Sequence, residues 1–436
     1  MQQRKQRIAI LAYSVDCLCI DWSAVTDWEP WWLVPIDSAE AKWVAQFLPA
    51  QRTLSYSSEP TIEDSNEALL QHSSIADVLK QAKIKALLFT DSITPGIQRW
   101  AQEEEIALVG VPFALQQRFE NKVWFHQFLL ENDLPQPHGS PRTLPAQRAL
   151  LRTPCVIQAP NSCGGEQTYI AHTQDQLKEI LDGFTEDAQY LVRDFAEGVP
   201  YGITMLMTDT SLRLSVPCRQ CFYPSSAGPL QFAGIQFMDT ATLSETLRLQ
   251  LEKIFLQCGK LLHAAGYRGS ANIDYIVTPN DDVVLLECNP RFTGASTNLC
   301  LFPSLSATAT FGSDCLACWT QTPRPNLLEK SYGIPISRQC SSMLFLYKSQ
   351  LTANAPAIQT RTSGTYTLEA GELILHSPDP RWLQGKEDGM FLFIDPDAMK
   401  SQNPHDPIVQ ISAAQPLFHP EGGLNEQGKH LLAALD

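Results

Sequence analysis

The sequence predicts an α/β protein that combines a parallel sheet with antiparallel strands, and three observations predict it. In the first 113 residues, short apolar runs alternate with helical spacing, which favours a parallel sheet covered by helices. A long amphipathic helix, Glu245–Ala264, then leads into a β-hairpin over residues 273–288. After residue 320 the pattern changes to short strands between turns, so we expect a small β-rich domain there.

The composition limits the class of protein and of partner. The chain has 436 residues, 44% of them hydrophobic, which indicates a globular protein with more than one domain. A formal net charge of −15 argues against nucleic acid or an anionic membrane as the main partner, but not against a small anionic ligand. No apolar run approaches the length that spans a bilayer, and Asp16 and Asp21 interrupt the N-terminal one, which favours a first strand over a signal peptide. Twelve cysteines without a zinc or disulfide pattern indicate reduced, buried thiols in a cytoplasmic protein.

The N-terminal 113 residues contain strand and helix patterns in alternation. The strand candidates are Ile8–Tyr13, Lys85–Thr90 and Ile106–Val111, and the helix candidates are Ile75–Ala82 and Ile97–Glu104. The aromatic run Trp28–Trp32 has no assigned role beyond packing. No GxGxxG loop occurs here, so this unit carries no dinucleotide fingerprint.

A glycine-containing loop lies between two strands in the middle of the chain. The helix Asn121–Asn132, with Lys122 in its first turn, precedes the strand Thr153–Gln158. The loop Asn161–Gly165 and the strand Thr168–Ala171 follow. Small residues there let backbone N–H groups approach a phosphate, although a plain turn is the commoner meaning of a Gly-Gly pair between strands.

The hairpin brings two acidic side chains together. If Thr278 pairs with Val283 across the turn, antiparallel pairing sets Asp274 opposite Glu287. Directly opposed side chains lie about 5 Å apart at Cβ, and two carboxylates that close repel unless a proton or a cation lies between them.

An amide and a guanidinium continue the same motif. Period two places Asn289 on the same face as Glu287, and Arg291 follows at once. Hard oxygen ligands of this kind suit Mg²⁺. The alternative is a surface hairpin whose acids point into water, but an acid within Val-Leu-Leu-Glu-Cys is an unusual solvent residue.

The order of these parts resembles the ATP-grasp ligase superfamily. The most specific match is an acid on one strand followed by Glu-x-Asn-Pro-Arg on the next, here Asp274 and Glu287–Arg291. The resemblance covers roughly residues 112–320, and the preceding residues resemble that family's N-terminal lobe less specifically. It implies an N-terminal α/β domain at 1–113, an ATP-grasp domain at 114–320 with lobes of about 114–195 and 196–320, and a β-rich domain at 321–436.

The resemblance also implies roles for individual residues toward ATP and Mg²⁺, with Mn²⁺ as an alternative metal. The implied metal ligands are Asp274, Glu287 and Asn289, and the implied catalytic residues, in contact with the transferred phosphate or the acyl-phosphate carboxylate, are Arg291 and Arg219. The implied nucleotide-binding residues are Lys122, Gln158, Ser162, Cys163, Gly164, Gly165, Arg193, Asp194, Phe195 and Glu197. Cys163 is interpreted as a small residue of a tight loop rather than as a nucleophile.

The sequence departs from the family pattern on the strand before the glycine-containing loop, at the hinge, and near Pro200 and Tyr201, where a second glutamate is usual. The family usually has a lysine where Gln158 stands, and the hinge between lobes usually opens with a glutamate where Arg193 and Asp194 stand. Losing one phosphate-binding cation weakens transition-state stabilisation unless another residue replaces it. If the site merely tolerates the loss, Gln158→Lys should leave activity unchanged or raise it.

By this resemblance the chain is an ATP-dependent ligase that joins a small-molecule carboxylate to an amine through an acyl phosphate, with amino acids or peptides as the first guess for substrates. Neither nucleic acid nor a membrane is an expected partner, and a homodimer is left open. Two alternatives remain: a binding protein that kept the fold and lost turnover, and a tailoring enzyme that needs the leader segment of a ribosomal peptide.

Overall fold

Three β-sheets with packed helices make up the protein. The structure is a computed structural model that describes residues 5–12, 14–59, 65–162, 167–184, 186–223, 231–320, 328–350, 358, 361–395, 407–420 and 422–435. Within these ranges no helix has both the length and the apolar character that crossing a bilayer requires.

The N-terminal lobe is a five-stranded parallel sheet with the strand order β3-β2-β1-β4-β5. Its strands are β1 (Gln6–Leu11), β2 (Trp28–Pro35), β3 (Thr53–Tyr56), β4 (Ala86–Leu88) and β5 (Ala107–Val109). The helices along this part of the chain are α1 (Val15–Cys19), α2 (Ala39–Val44), α3 (Asn66–Gln71), α4 (Ile75–Gln81), α5 (Pro95–Glu103) and α6 (Phe113–Glu120). The predicted parallel sheet is confirmed. The aromatic run without an assigned role is part of β2, and its Trp32 is buried in the core.

A smaller antiparallel sheet, here called the small lobe, follows. It has the order β6-β9-β7-β8 and consists of β6 (Gly139–Leu144), β7 (Cys155–Gln158), β8 (Thr168–Ala171) and β9 (Ala188–Asp194), with α8 (Gln174–Asp182) packed on it. The helix α7 (Lys122–Glu131) precedes it. Asn121 is the N-cap of α7, because its side chain accepts the N–H of Trp124 at 2.9 Å, and this sets Lys122 at the first helical position.

The third sheet runs from the middle of the chain to its C-terminal part. Its strands are β10 (Val199–Met207), β11 (Ser211–Leu214), β12 (Cys218–Tyr223), β13 (Gln231–Phe237), β14 (Gly269–Val277), β15 (Val283–Asn289), β16 (Lys330–Tyr332), β17 (Ser342–Leu346), β18 (Gly364–Glu369), β19 (Glu372–Ser377), β20 (Met390–Ile394) and β21 (Val409–Ala413). Because β13 pairs with β17, strands from both sides of residue 320 belong to one hydrogen-bonded sheet. The division into domains at that residue stays a proposal.

Four more helices cover this sheet and its ends: α9 (Glu245–Ala264), α10 (Gly294–Leu301), α11 (Phe311–Thr320) and α12 (Glu426–Leu435). The prediction of α9 is confirmed residue for residue. Leu251, Ile254 and Cys258 of the predicted stripe are buried against the sheet. Gly266 follows the helix with φ +93°, a conformation that glycine adopts without strain. The helix therefore supports the back of the sheet that carries β14 and β15.

Candidate active site

The predicted pairing of Asp274 with Glu287 is confirmed, but by a different route from the one expected. Val277, not Thr278, pairs with Val283, because the backbone N–H of Thr278 closes the turn by donating to Asp282. That start would have set Asp274 opposite residue 286. A β-bulge inserts one extra residue, Leu286, between the pairs Tyr275–Leu285 and Asp274–Glu287. The bulge restores the register that brings the two carboxylates together.

The two carboxylates touch each other. Asp274 and Glu287 form a side-chain hydrogen bond, so the pair holds a proton when no cation separates the two groups. Burial, and then the negative charge of Glu287, raise the pKa of Asp274 well above its ordinary value. Burial acts in the same direction on Glu287, but the charge of Lys122, with hydrogen bonds to Asp274 and Lys122, outweighs it and lowers the pKa of Glu287.

Two amides orient Asp274. Asn272 Nδ2 donates to Asp274 Oδ1 at 2.7 Å, and Asn289 Nδ2 donates to Asp274 Oδ2 at 3.2 Å. Asn272 and Asn289 are themselves directly paired across the two strands. Each carboxylate oxygen of Asp274 thus has a fixed partner, while the oxygen atom of Asn289 faces Arg291 Nη2 at 3.4 Å. Sequence reasoning missed Asn272, although its spacing of two residues from Asp274 already placed it on the same face.

Lys122 reaches this pair from α7. Its Nζ lies 3.2 Å from Glu287 Oε2, and its side chain is only 5% exposed. The same ammonium donates to the backbone carbonyl of Ser162, at the beginning of the glycine-containing loop. A buried ammonium and a carboxylate at this distance compensate each other's charge. The structure therefore brings Lys122 and Ser162 to the carboxylates, while Cys163, Gly164 and Gly165 lie outside the described residues.

Gln158 and Arg193 form a second group beside the carboxylates. Arg193 Nη2 donates to Gln158 Oε1, and Arg193 Nη1 donates to the carbonyl of Leu286 at 2.8 Å. Gln158 Nε2 is 3.4 Å from Thr168 Oγ1. Both side chains are buried, and the charge of Glu287 acts on Arg193. The guanidinium thus links the small lobe to the bulge that aligns Glu287.

Arg291 lies on the other side of the pair and is held by an acid from α6. Its Nε donates to Glu120 Oε1 at 2.8 Å, and its Nη2 is 3.4 Å from Asn289 Oδ1. Ser92 Oγ also donates to Glu120 Oε1, at 2.8 Å. Glu120 is a second residue that sequence reasoning missed, and no local pattern marks it, because it comes from an element far from the hairpin along the chain.

Arg219 is not brought into this group. Cys218 pairs with Gly202, and Gly202 pairs with Asp274, so these residues share one face of the sheet. Arg219 is the next residue along β12, so its side chain lies on the opposite face of the sheet. Its Nε is buried without a hydrogen-bond partner in the described part of the chain. The suggested place of Arg219 beside the transferred phosphate therefore finds no support in the strand register.

The remaining hinge residues lie at the end of β9 and just beyond it. The N–H of Asp194 donates to the carbonyl of His138 at 2.8 Å, and the N–H of Phe195 to that of Pro154 at 3.3 Å. Glu197 is exposed. Both of these backbone N–H groups are thus used within the protein.

The site offers two carboxylates and an amide as metal ligands. In the described ranges, no group of three or more His, Cys, Asp or Glu side chains is placed to hold a metal. A site of this composition suits Mg²⁺, which takes one or two carboxylates and completes its shell with water and phosphate oxygens. Three cations, Lys122, Arg193 and Arg291, surround it.

Comparison with known proteins agrees with this arrangement of parts. Residues 119–295 match the profile of a protein family described as the ATP-grasp domain. Over 224 residues the chain is 23% identical to the arginine-specific large chain of carbamoyl phosphate synthase from Geobacillus stearothermophilus. That match covers 50% of this chain and 21% of the relative, so the matched part of this chain spans about a fifth of that protein's length.

Solved structures share the fold over nearly the whole chain. The biotin carboxylase domain of Hydrogenobacter thermophilus 2-oxoglutarate carboxylase, solved with MgADP and bicarbonate, superposes with a TM-score of 0.60 at 12% identity, covering 95% of this chain and 87% of that one. L-amino acid ligase from Bacillus licheniformis superposes with a TM-score of 0.57 at 12% identity, covering 99% and 96%. At this identity the likeness shows the fold. The predicted fold class and family resemblance are confirmed: residues 119–295 match the ATP-grasp domain, and the chain has the ATP-grasp fold.

Proposed function

We propose that this protein is an ATP-dependent ligase that joins a carboxylate to an amine and releases ADP and phosphate. The observation that carries the proposal is the contact between Asp274 and Glu287 with Lys122 beside it, within an ATP-grasp domain. Two acids this close repel each other unless a proton or a cation lies between them, and a bound cation can take the place of the proton that they share. An ion pair with a purely structural role would need only one of the two acids beside Lys122.

The residues present fit a magnesium ion bound with the nucleotide. Asp274 and Glu287 supply two carboxylates, and the amide of Asn289, whose nitrogen faces Asp274 here, would present its oxygen to the same place after rotating. When bound, Mg²⁺ would neutralise part of the negative charge on the phosphates. Lys122 would then turn its ammonium from Glu287 toward a phosphate oxygen, since the metal takes over the carboxylate.

The proposed ligation reaction has two steps. An oxygen of the substrate carboxylate attacks the γ-phosphorus, the bond from that phosphorus to ADP breaks, and an acyl phosphate forms. The amine nitrogen then attacks the acyl carbon, the carbon–oxygen bond to phosphate breaks, and the nitrogen loses a proton. Neither step needs an enzyme nucleophile, in keeping with the buried cysteines around the site, whose thiol pKa values burial raises.

Arg291 is the residue that we assign to the transferred group. Its planar guanidinium group can donate two parallel hydrogen bonds to phosphate or carboxylate oxygens, and in this structure its Nε donates to Glu120. Binding of the substrate would exchange one anion for another at the same guanidinium. Glu120 thereby keeps the arginine oriented between turnovers.

Amino acids or short peptides are the proposed substrates. Support comes from the likeness to a structure described as an L-amino acid ligase, which extends over 99% of this chain. A binding protein without turnover is less favoured than it was from sequence, because Gln158 has a defined partner, Arg193, and is not a vestige of a lost site. A cytoplasmic location and a homodimer remain predictions.

A screen for ADP release tests the proposal. Purified protein with MgATP is offered amino acids singly and in pairs, and ADP is measured with an enzyme-coupled assay. We expect release only when both a carboxylate and an amine donor are present, and no release from Glu287→Gln. Release that needs a long leader peptide would select the tailoring enzyme. MgATP binding without release for any substrate pair would select the binding protein.

A further inference from the structure

Arg193 is a buried cation with an unusual set of partners. It is 3% exposed, and its guanidinium contacts a side-chain amide, Gln158, and a backbone carbonyl, that of Leu286. Neither partner carries a charge. An arginine buried without a full counter-charge is costly, and proteins keep such groups mainly where they bind something.

The strand register explains how the two side chains meet. On β7 and β9, Val156 pairs with Arg193 and Gln158 pairs with Leu191, so Gln158 and Arg193 share one face two positions apart. Gln158 uses its oxygen for Arg193 and directs its nitrogen toward Thr168. The amide therefore fixes the position of the guanidinium.

Arg193 and Lys122 depend on the same charged partner. In the described ranges, Glu287 is the carboxylate whose charge acts on Arg193, and it is shared with Lys122. Burial lowers the pKa of Arg193 to about 10, so the group remains protonated at neutral pH. Two cations thus face one shared anion. Once a divalent metal occupies the carboxylates, both cations lose that anion and need another.

We propose that Arg193, held in place by Gln158, supplies the positive charge that binds the phosphate chain of ATP on the small-lobe side of the site. This inference rests on the proposed function and names which residue serves that role. The phosphate-binding cation is therefore on β9, whereas the family usually has it on the strand that corresponds to β7. Gln158 on β7 is the residue that positions this cation. A lysine at position 158 would place a second ammonium against the buried guanidinium, so the expectation that Gln158→Lys is tolerated is reversed.

Four variants test this assignment: Gln158→Lys, Arg193→Gln, the double variant with both changes, and Gln189→Lys. The double variant moves the cation from β9 to β7 and conserves the net charge. Gln189 is exposed on β9, so its change to lysine controls for an added charge in the same lobe. Affinities for ATP and for AMP, each with Mg²⁺, are measured by calorimetry, and thermal unfolding of each variant checks the fold.

We expect Gln158→Lys and Arg193→Gln each to weaken ATP binding by about 10-fold or more. AMP binding should change much less, because AMP lacks the β- and γ-phosphates, whereas a general loss of structure would weaken both ligands alike. The double variant should recover most of the ATP affinity, and Gln189→Lys should bind like the wild type.

Two results would overturn the assignment: unchanged ATP affinity in Arg193→Gln, or a double variant that binds ATP no better than Arg193→Gln alone. If Arg193→Gln lowers the affinities for ATP and AMP equally, Arg193 only stabilises the bulge at Leu286, and a contact with the β- and γ-phosphates is rejected as well. If the wild type binds MgATP but never releases ADP, the proposed reaction fails while the role of Arg193 is still decided by binding. If the wild type does not bind MgATP, both proposals fail.

Discussion

The hairpin of β14 and β15 and the paired strands β7 and β9 of the small lobe contribute to the same site in different ways. The hairpin carries its acids in one local motif, and its side chains meet across a single turn. The small-lobe strands supply Gln158 and Arg193 from positions 35 residues apart, and neither residue matches the family pattern at its own position. If Arg193 has the role proposed for it, the small lobe keeps a phosphate-binding charge but carries it on the strand next to the one where the family usually has a lysine.

The largest expected effect is on the hairpin side. Asp274→Asn and Glu287→Gln should each lower Mg²⁺-dependent ATP turnover by about 100-fold or more, because each removes a metal-binding charge. Steady-state ADP release measures this. Asp282→Asn, an exposed acid in the turn of the same hairpin, is the matched control and should retain full turnover. Normal turnover in both site variants would end the metal assignment.

A smaller effect is expected for the cation that joins the two regions. Lys122→Gln should lower kcat/KM for ATP by about 10- to 1,000-fold, since its ammonium next to Glu287 would no longer be available to a phosphate. The exposed Lys253 on α9 provides the control variant Lys253→Gln, which should leave kcat/KM unchanged. If the two variants lose activity equally, Lys122 has no special role.

The binding of metal should release a proton from the carboxylate pair. Because the pKa of Asp274 is raised, its proton must leave when Mg²⁺ binds with a non-hydrolysable ATP analogue, and affinity should rise with pH until that pKa is passed. Titrations at about pH 7.5 and about pH 8.5, each in buffers of different ionisation enthalpy, count the protons released. Wild-type protein that binds the metal complex without releasing a proton, and with the same affinity at both pH values, would contradict the shared proton.

The smallest effect concerns a buried acid outside the site, Asp16, which separates general pH sensitivity from metal binding. Burial, followed by the charge of Asp91, raises the pKa of Asp16 to about 7, while the hydroxyl of Thr297 donates to it. The folded state therefore holds this proton more tightly than the unfolded state, and the free energy of unfolding should fall as pH rises from about 4 to about 7.

Asp16→Asn removes this titration and should stabilise the protein by about 1–3 kcal/mol at about pH 8 relative to the wild type. Chemical denaturation across that pH range measures the difference. Parallel pH profiles for the two proteins would show that Asp16 does not carry the shift.

Sequence reasoning found the parts of the site that are local along the chain. Strand period placed Glu287 and Asn289 on one face, and the predicted pairing of Asp274 with Glu287 is found although the turn closes one residue earlier than expected. Lys122 was implied by the resemblance to the ATP-grasp family, and it lies at the start of a helix as predicted. Sequence reasoning did not find the bulge at Leu286, because a bulge depends on how the turn closes and on the carbonyl that Arg193 contacts.

The fold, like the site, was predictable where it depends on patterns that are local along the chain. The long helix α9 and the parallel N-terminal sheet follow from periodicity, whereas the joining of β13 to β17 into one sheet depends on pairing between distant segments. The ion pair of Glu120 with Arg291 and the placement of Arg219 on the opposite face of the sheet likewise depend on contacts between segments that are distant along the chain.

Anomalous diffraction from Mn²⁺, in crystals grown with a non-hydrolysable ATP analogue, tests the central claim most directly. The account predicts a metal peak between the carboxylates of Asp274 and Glu287, with oxygen distances of about 2.0–2.2 Å and phosphate oxygens completing the shell. A nucleotide bound elsewhere, or a metal without either carboxylate among its ligands, would contradict it.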